Sequence, residues 1–316
     1  MILTTLLFAL GLVGLVVGGD FLVKGAVGLA RRIGISPLVI GLTIVAFGTS
    51  APELVISLDA AFAGSAGLAV GNVVGSNIAN VLLVLGVPAL ILPIVCDQDG
   101  VHSMIYFLLG VTALFIWQLS DGIISRGDGF VLLLALAVFL GAQFRRARQE
   151  RNGNVEAELE SEVGAVPQEA WRIGAFLLGG IVLLPLGARL TVDAAIDFAE
   201  AFNVSQEVIG VTIVAIGTSL PELATGIMAA RSGENSVGVG NVVGSNIFNI
   251  AAIAGITAAI VPLPVMGHLM TFDAWVMLAV TVLLTVLALT HYCVGRWSGL
   301  AFGAAFALYL YVTATI

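Results

Sequence analysis

Charge is what this chain has least of. Only 10% of its 316 residues are Asp, Glu, Lys or Arg, and a single lysine stands beside eleven arginines. Apolar residues make up 59%, and the mean hydropathy is +1.10. A water-soluble domain carries no such surplus, so the composition describes an integral membrane protein. Two cysteines, Cys96 and Cys293, are too few for a disulfide framework. The histidines His102, His268 and His291 are scattered and suggest no metal cluster. Alternating strand patterns are missing, which disfavours a barrel. The chain also lacks HExxH, a paired-Asp motif and a Ser–His pair on adjacent spans, so an intramembrane hydrolase finds no support. A net charge of −8 without a basic patch gives nucleic acid nothing to bind.

What remains is helix. A span needs about 20 apolar residues, and on that rule the chain divides into ten: 2–27, 37–63, 68–94, 103–120, 128–145, 170–199, 205–230, 236–261, 271–290 and 297–314. Arg31, Arg32, Arg145, Arg146, Arg148, Arg151, Arg172, Arg231 and Arg296 fall in loops after odd-numbered spans, and only Arg126 falls in a loop on the other side. This asymmetry puts the odd loops in the cytoplasm and both termini outside. The first span has no basic leader and no small-residue cleavage site, so it reads as a retained helix. The acidic, hydrophilic stretch 146–168 reads as a solvated linker between 1–145 and 169–316; it is short and lacks an EF-hand pattern.

Those two parts repeat each other. GLTIVAFGTSAPEL at 41–54 returns as GVTIVAIGTSLPEL at 210–223, an offset of 210 − 41 = 169, with 11 of 14 positions identical. GNVVGSNIAN at 71–80 returns as GNVVGSNIFN at 240–249, with 9 of 10 identical. Between these islands, 55–70 and 224–239 agree at only 4 of 16 positions. Five spans per half is an odd number, so the second copy enters the membrane from the opposite side. The expected fold is therefore all-α, with about ten transmembrane helices in two inverted five-helix repeats.

Each first island places a glutamate, Glu53 or Glu222, at membrane depth, where an ionisable group is costly and usually functional. Pro52 and Pro221 lack an N–H, so the carbonyls of Gly48 and Gly217 lose their helical partners. Freed carbonyls are tolerated in a bilayer only within protein or beside a cavity. Thr49 with Glu53, and Thr218 with Glu222, are four residues apart and hence on one helix face beside those carbonyls. In the second islands Gly71, Gly75, Gly240 and Gly244 allow close helix approach. Ser76 with Asn80, and Ser245 with Asn249, offer oxygen from one face each. Hard oxygens of this kind suit Na⁺ and Ca²⁺ and nothing in them suits zinc or copper. Two carboxylates carry −2, which one Ca²⁺ neutralises and three Na⁺ would take to +1; both sets together would repel. A GxxxG, or one Thr/Ser-rich helix kinked by proline, reads on its own as structure, but the joint repetition does not.

The motifs GTSAPE and GTSLPE, each followed by SNIAN or SNIFN, resemble the two repeats of the cation/calcium antiporter superfamily, in its prokaryotic sodium/calcium exchanger branch. The resemblance covers about 40 residues in each half. It implies a site on spans 2, 3, 7 and 8 that holds Ca²⁺ or Na⁺ alternately. Glu53 and Glu222 would bind both ions, helped by Thr49, Ser50, Ser76, Thr218, Ser219 and Ser245 and by the carbonyls of Ala46 and Ala215. Spans 1 and 6 would slide against the rest, with Gly18, Gly19 and Gly25 letting span 1 run close to its neighbours. Asparagine at both Asn80 and Asn249, where some members carry aspartate, argues against potassium coupling. The expected protein is a multi-pass antiporter of the cell membrane with lipid and inorganic cations as its partners, no cofactor, no nucleic acid and no obligatory protein partner. A Ca²⁺/H⁺ or other divalent antiporter is the alternative, and a passive cation channel the more distant one.

Overall fold

The computed structural model describes residues 2–95, 101–152, 166–201, 215–265, 267–290 and 293–315. Its helices are α1 (Ile2–Ile33), α2 (Pro37–Thr49), α3 (Ala51–Phe62), α4 (Ala66–Ile91), α5 (Val101–Leu119), α6 (Arg126–Asn152), α7 (Ala170–Ala201), α8 (Leu220–Arg231), α9 (Asn235–Ile260), α10 (Leu269–Leu289) and α11 (Arg296–Thr315). Seven of these, α1, α4, α5, α6, α7, α9 and α10, are long and apolar enough to cross a membrane alone. The α2–α3 pair makes an eighth span, bent by 43°. The protein is thus an all-helical, multi-span membrane protein. The expected seventh span, 205–230, lies partly outside the described residues; α8 is its visible end.

Two boundaries differ from expectation. Helix α1 runs on to Ile33, and α6 continues through the basic run to Asn152, past the expected ends at 27 and 145. Arginine is a good helix former, so the hydropathy limit marks where the apolar stretch stops, not where the helix does.

The helices interlock between halves. The end of α4 packs on α11, the end of α9 packs on α6, and α5 packs on α10. Two short antiparallel ribbons follow the same exchange. β1 (Ile94–Val95) pairs with β4 (Cys293–Val294), and β2 (Ile123–Ile124) pairs with β3 (Leu263–Pro264). The central rods are α4 and α9, with 72% and 83% of their apolar stretches buried, against 33% for α1 and 22% for α6. The repeated polar residues therefore lie on the two helices best shielded from lipid.

Apolar side chains form two clusters. The larger joins α4, α5, α6, α9, α10 and α11. The smaller is built on α1 and α7, with parts of α2, α8 and α9. Glycine brings α1 and α7 into backbone contact: a Cβ on Gly180 would stand 2.8 Å from the Leu22 nitrogen, and one on Gly187 2.8 Å from the Leu15 nitrogen. Where α1 nears the start of α9, Arg31 faces Glu234, whose carboxyl is pushed up by burial while the guanidinium opposes that rise.

The glycines of α9 set the approach of α2. A Cβ on Gly240 would meet the Leu38 carbonyl at 2.9 Å, and one on Gly244 the Leu42 carbonyl and the Ala46 Cβ at 2.7 Å. Gly244→Val should therefore lower the thermal unfolding temperature in detergent, with a cost of about 1–3 kcal/mol from overpacking. Gly110→Val, on the exposed side of α5, should leave that temperature close to wild type.

Candidate functional site

Both first islands break where proline forbids a continuous helix. Between α2 and α3, Ser50 has φ −85° and ψ 4°; before α8, Ser219 has φ −87° and ψ 4°. Pro52 and Pro221 take the second position of the helices that follow, where a missing N–H costs nothing. Each glutamate then falls in a first helical turn, where the local dipole favours negative charge. The break also changes the expected face. Thr49 lies across the bend from Glu53, and its hydroxyl is 3.2 Å from Asn241 Oδ1 and 3.4 Å from Ser245 Oγ, both on α9. Ser50 also reaches the opposite half, donating to Glu222 Oε1 at 3.2 Å.

Glu53 and Glu222 are each 1% exposed and near enough to interact electrostatically. Thr49, Ser50, Ser76, Asn80, Ser219, Ser245 and Asn249 are buried with them. Six buried oxygens in the repeated islands have no hydrogen-bond partner: Glu53 Oε2, Glu222 Oε2, Ser76 Oγ, Ser219 Oγ, Asn80 Oδ1 and Asn249 Oδ1. An unpartnered buried oxygen costs roughly 1–3 kcal/mol, so the six among the described residues are a local excess of acceptors. Neither Lys nor Arg is among the buried groups there.

The remaining expected ligands are placed less uniformly. Thr218 is half-buried and, with Ser76, Asn72, His268 and Asp273, lines a cavity of about 430 Å³. The Ala46 carbonyl already accepts the Ser50 N–H at 3.0 Å and has the Thr49 hydroxyl at 3.3 Å. Ala215 opens a short helical turn, Ala215–Gly217, and in that copy Ser219 N bonds the Ile216 carbonyl at 3.1 Å. The second break is thus the tighter of the two.

Four asparagines that sequence reasoning did not single out complete the arrangement. Asn72 Nδ2 donates to the Glu53 carbonyl at 3.1 Å, and Asn241 Nδ2 to the Glu222 carbonyl at 3.4 Å. Each thus pins the backbone of a glutamate whose helix has just restarted. Asn77 and Asn246 meet across the halves, each donating to the other's carbonyl at 3.4 Å. Their signal was present: all four sit in the second islands at the shared offset of 169 (241 − 72 and 246 − 77). Asparagine looked like polar filler beside serine and glutamate. In addition, α4 carries a π-helical turn at Asn80–Val84 and α9 one at Phe248–Ala254, just where Asn80 and Asn249 face inward. Such turns concentrate at functional positions.

Membrane-length apolar helices around twin buried carboxylates and oxygen-rich side chains define a class, that of polytopic membrane proteins with acidic groups inside the helix bundle. The family model described as "Sodium/calcium exchanger protein" matches residues 3–145 and 173–315. The chain is 39% identical to the inner membrane protein YrbG of Escherichia coli K12, covering 91% of this chain and 89% of that one. It is 34% identical to the sodium/calcium exchanger MaX1 of Methanosarcina acetivorans, over 97% of each. A solved structure of the sodium-calcium exchanger NCX_Mj, soaked with Na⁺ and Sr²⁺, superposes with a TM-score of 0.83 at 32% identity, over 97% of each chain. The protein belongs to the sodium/calcium exchanger family, in the prokaryotic branch of the cation/calcium antiporters.

Asn241 holds both the Glu222 carbonyl and Thr49, whereas Asn72 holds the Glu53 carbonyl and the Ser57 hydroxyl at 2.9 Å and is half-buried. Asn241→Ala should therefore destabilise more than Asn72→Ala, by about 1–3 kcal/mol for the buried groups left unpaired. Thermal unfolding of the two variants in one detergent gives the comparison.

Proposed function

We propose that this protein is a secondary active antiporter that exchanges Ca²⁺ for Na⁺ across the cell membrane by alternating access. One observation supports the proposal: glutamates from both halves are buried within electrostatic range of each other, and oxygens of the repeated islands lack a hydrogen-bond partner. Ion pairs and hydrogen bonds normally compensate a buried charge, and here the compensation is assigned to the cargo. The ligands are Glu53, Glu222, Ser50, Ser76, Asn80, Ser219 and Asn249, with Thr49, Thr218, Ser245 and the carbonyls of Ala46 and Ala215 as further oxygen donors. The names of MaX1 and of NCX_Mj, soaked with Na⁺ and Sr²⁺, support the cargo.

Coupling follows from charge. The site carries −2, so one Ca²⁺ brings it to zero and Na⁺ must replace it as a set. An unloaded pair of carboxylates is costly to carry through a closed, low-dielectric state, which discourages the unloaded protein from switching sides. With three Na⁺ against one Ca²⁺, one net charge moves per cycle, worth about 2.3 kcal/mol per 100 mV.

The proposed layout is two inverted repeats, 1–145 and 169–316, around a cytoplasmic linker 146–168, with ten spans and both termini outside. The ribbons support it. Pairing of β1 with β4 joins the loops after the third and ninth spans, and pairing of β2 with β3 joins those after the fourth and eighth. Odd loops meet odd loops and even loops meet even loops, as an alternating ten-span path requires. The separate cluster on α1 and α7 supports these two helices as the moving part.

Reconstituted protein should take up ⁴⁵Ca²⁺ only when an outward Na⁺ gradient is imposed. Uptake indifferent to Na⁺ but driven by a pH gradient would replace sodium coupling by proton coupling. Glu53→Gln and Glu222→Gln should each reduce that uptake at least a hundredfold, since losing one of two charged ligands costs several kcal/mol, while the protein stays monodisperse in detergent. Normal flux in both variants would refute the site.

A further inference from the structure

Asn77 and Asn246 touch neither glutamate in the hydrogen-bond pattern, yet they join the two halves at the deepest point of the site. Both are essentially inaccessible, at 1% and 0% exposure. The logic of their contacts starts from the backbone. A carbonyl can only accept, so the Asn77 carboxamide must turn its Nδ2 to the Asn246 carbonyl, 3.4 Å away, with Met277 Sδ a weaker acceptor at 3.6 Å. That leaves Asn77 Oδ1 on its other side, and it accepts Asn249 Nδ2 at 3.0 Å. With its nitrogen committed, Asn249 has only Oδ1 left, buried and without a partner. The mirror sequence runs through the other half. Asn246 Nδ2 donates to the Asn77 carbonyl at 3.4 Å, Asn246 Oδ1 accepts Asn80 Nδ2 at 3.0 Å, and Asn80 Oδ1 is left over.

The geometry points to Asn77 and Asn246 as positioning residues that aim the ligand oxygens of Asn80 and Asn249 at the cation, each acting on the other repeat. The inference rests on the reading of Asn80 and Asn249 as ligands. An asparagine free to rotate presents N–H₂ to a cation as readily as oxygen. Here two backbone carbonyls remove that freedom before any ion arrives, and each ligand in one half is oriented by a residue of the other. The specificity is also one of charge. Asn77 Oδ1 and Asn246 Oδ1 need donors opposite them, which a carboxylate at 249 or 80 could not supply. The quartet therefore holds both positions neutral and leaves the pocket charge to Glu53 and Glu222.

Equilibrium binding of ⁴⁵Ca²⁺ to purified protein in detergent tests this without requiring exchange. Asn77→Ala and Asn246→Ala should each weaken binding roughly tenfold, the lower end of what losing an outer partner of a metal ligand costs. The decisive arm is pairwise. Asn77→Ala added to Asn249→Ala should weaken binding no further than Asn249→Ala alone, whereas Asn77→Ala added to Asn80→Ala should multiply the two losses. The converse should hold for Asn246, coupled to Asn80 and independent of Asn249. Asn77→Ser and Asn246→Ser repeat the cycle if an alanine variant is not monodisperse. Wild-type affinity in the single variants, or coupling within a repeat instead of across it, would overturn the assignment. Wild-type protein that binds Ca²⁺ with the crossed coupling but shows no Na⁺-driven uptake would refute the exchange reading alone and leave this one standing.

Discussion

The structure depends on burying two carboxylates from opposite halves of the chain. Glu53 and Glu222 are buried within electrostatic range of each other. Like charges so placed repel, and removing each from water costs several kcal/mol. The fold meets part of that cost with Ser50 donating across the halves and with first-turn positions for both glutamates. The rest falls to whatever positive ion the site takes. A site that is stable only when loaded is what an obligatory exchanger needs, because the loaded states are then the ones that can close and turn.

Backbone geometry makes the placement possible. Proline after a Gly-Thr-Ser turn ends one helical segment and starts another, which gives each glutamate a place in the first turn of a helix. The broken segment cannot hold itself in register, and asparagine on the neighbouring helix fastens it by the glutamate's own carbonyl. Glycine on α9 then lets α2 approach closely, and Thr49 at the end of α2 reaches Asn241 and Ser245.

Much of this was legible in the residues. The class followed from the scarcity of charge; repetition at a fixed offset singled out Glu53, Glu222, Ser76, Asn80 and Asn249, and the family resemblance added Ser50 and Ser219, all of which the structure buries. What the sequence did not show has two physical causes. Helix ends at Ile33 and Asn152 were misplaced because hydropathy measures the bilayer's limit, while arginine-rich turns continue a helix into water. The reach of Thr49 was misassigned because four-residue spacing holds only along an unbroken helix, and the break at Ser50 turns its hydroxyl to α9. The asparagines at 72, 77, 241 and 246 stood in plain view, but their use depends on carbonyls that no side-chain pattern reveals.

The two apolar clusters bear on how such a site changes sides. Within the α1–α7 pair, glycines allow main chain to meet main chain, so the two helices hold one another closely. Toward the rest of the protein, α1 meets α8 through Gly19, where an added Cβ would lie 3.0 Å from the Ala224 carbonyl and from Met228. The larger cluster ties α4 and α9 to helices from both halves, and the asparagine quartet lies between them. The asparagine contacts thus lie among helices of the cluster that joins both halves, while α1 and α7 contribute to the other cluster.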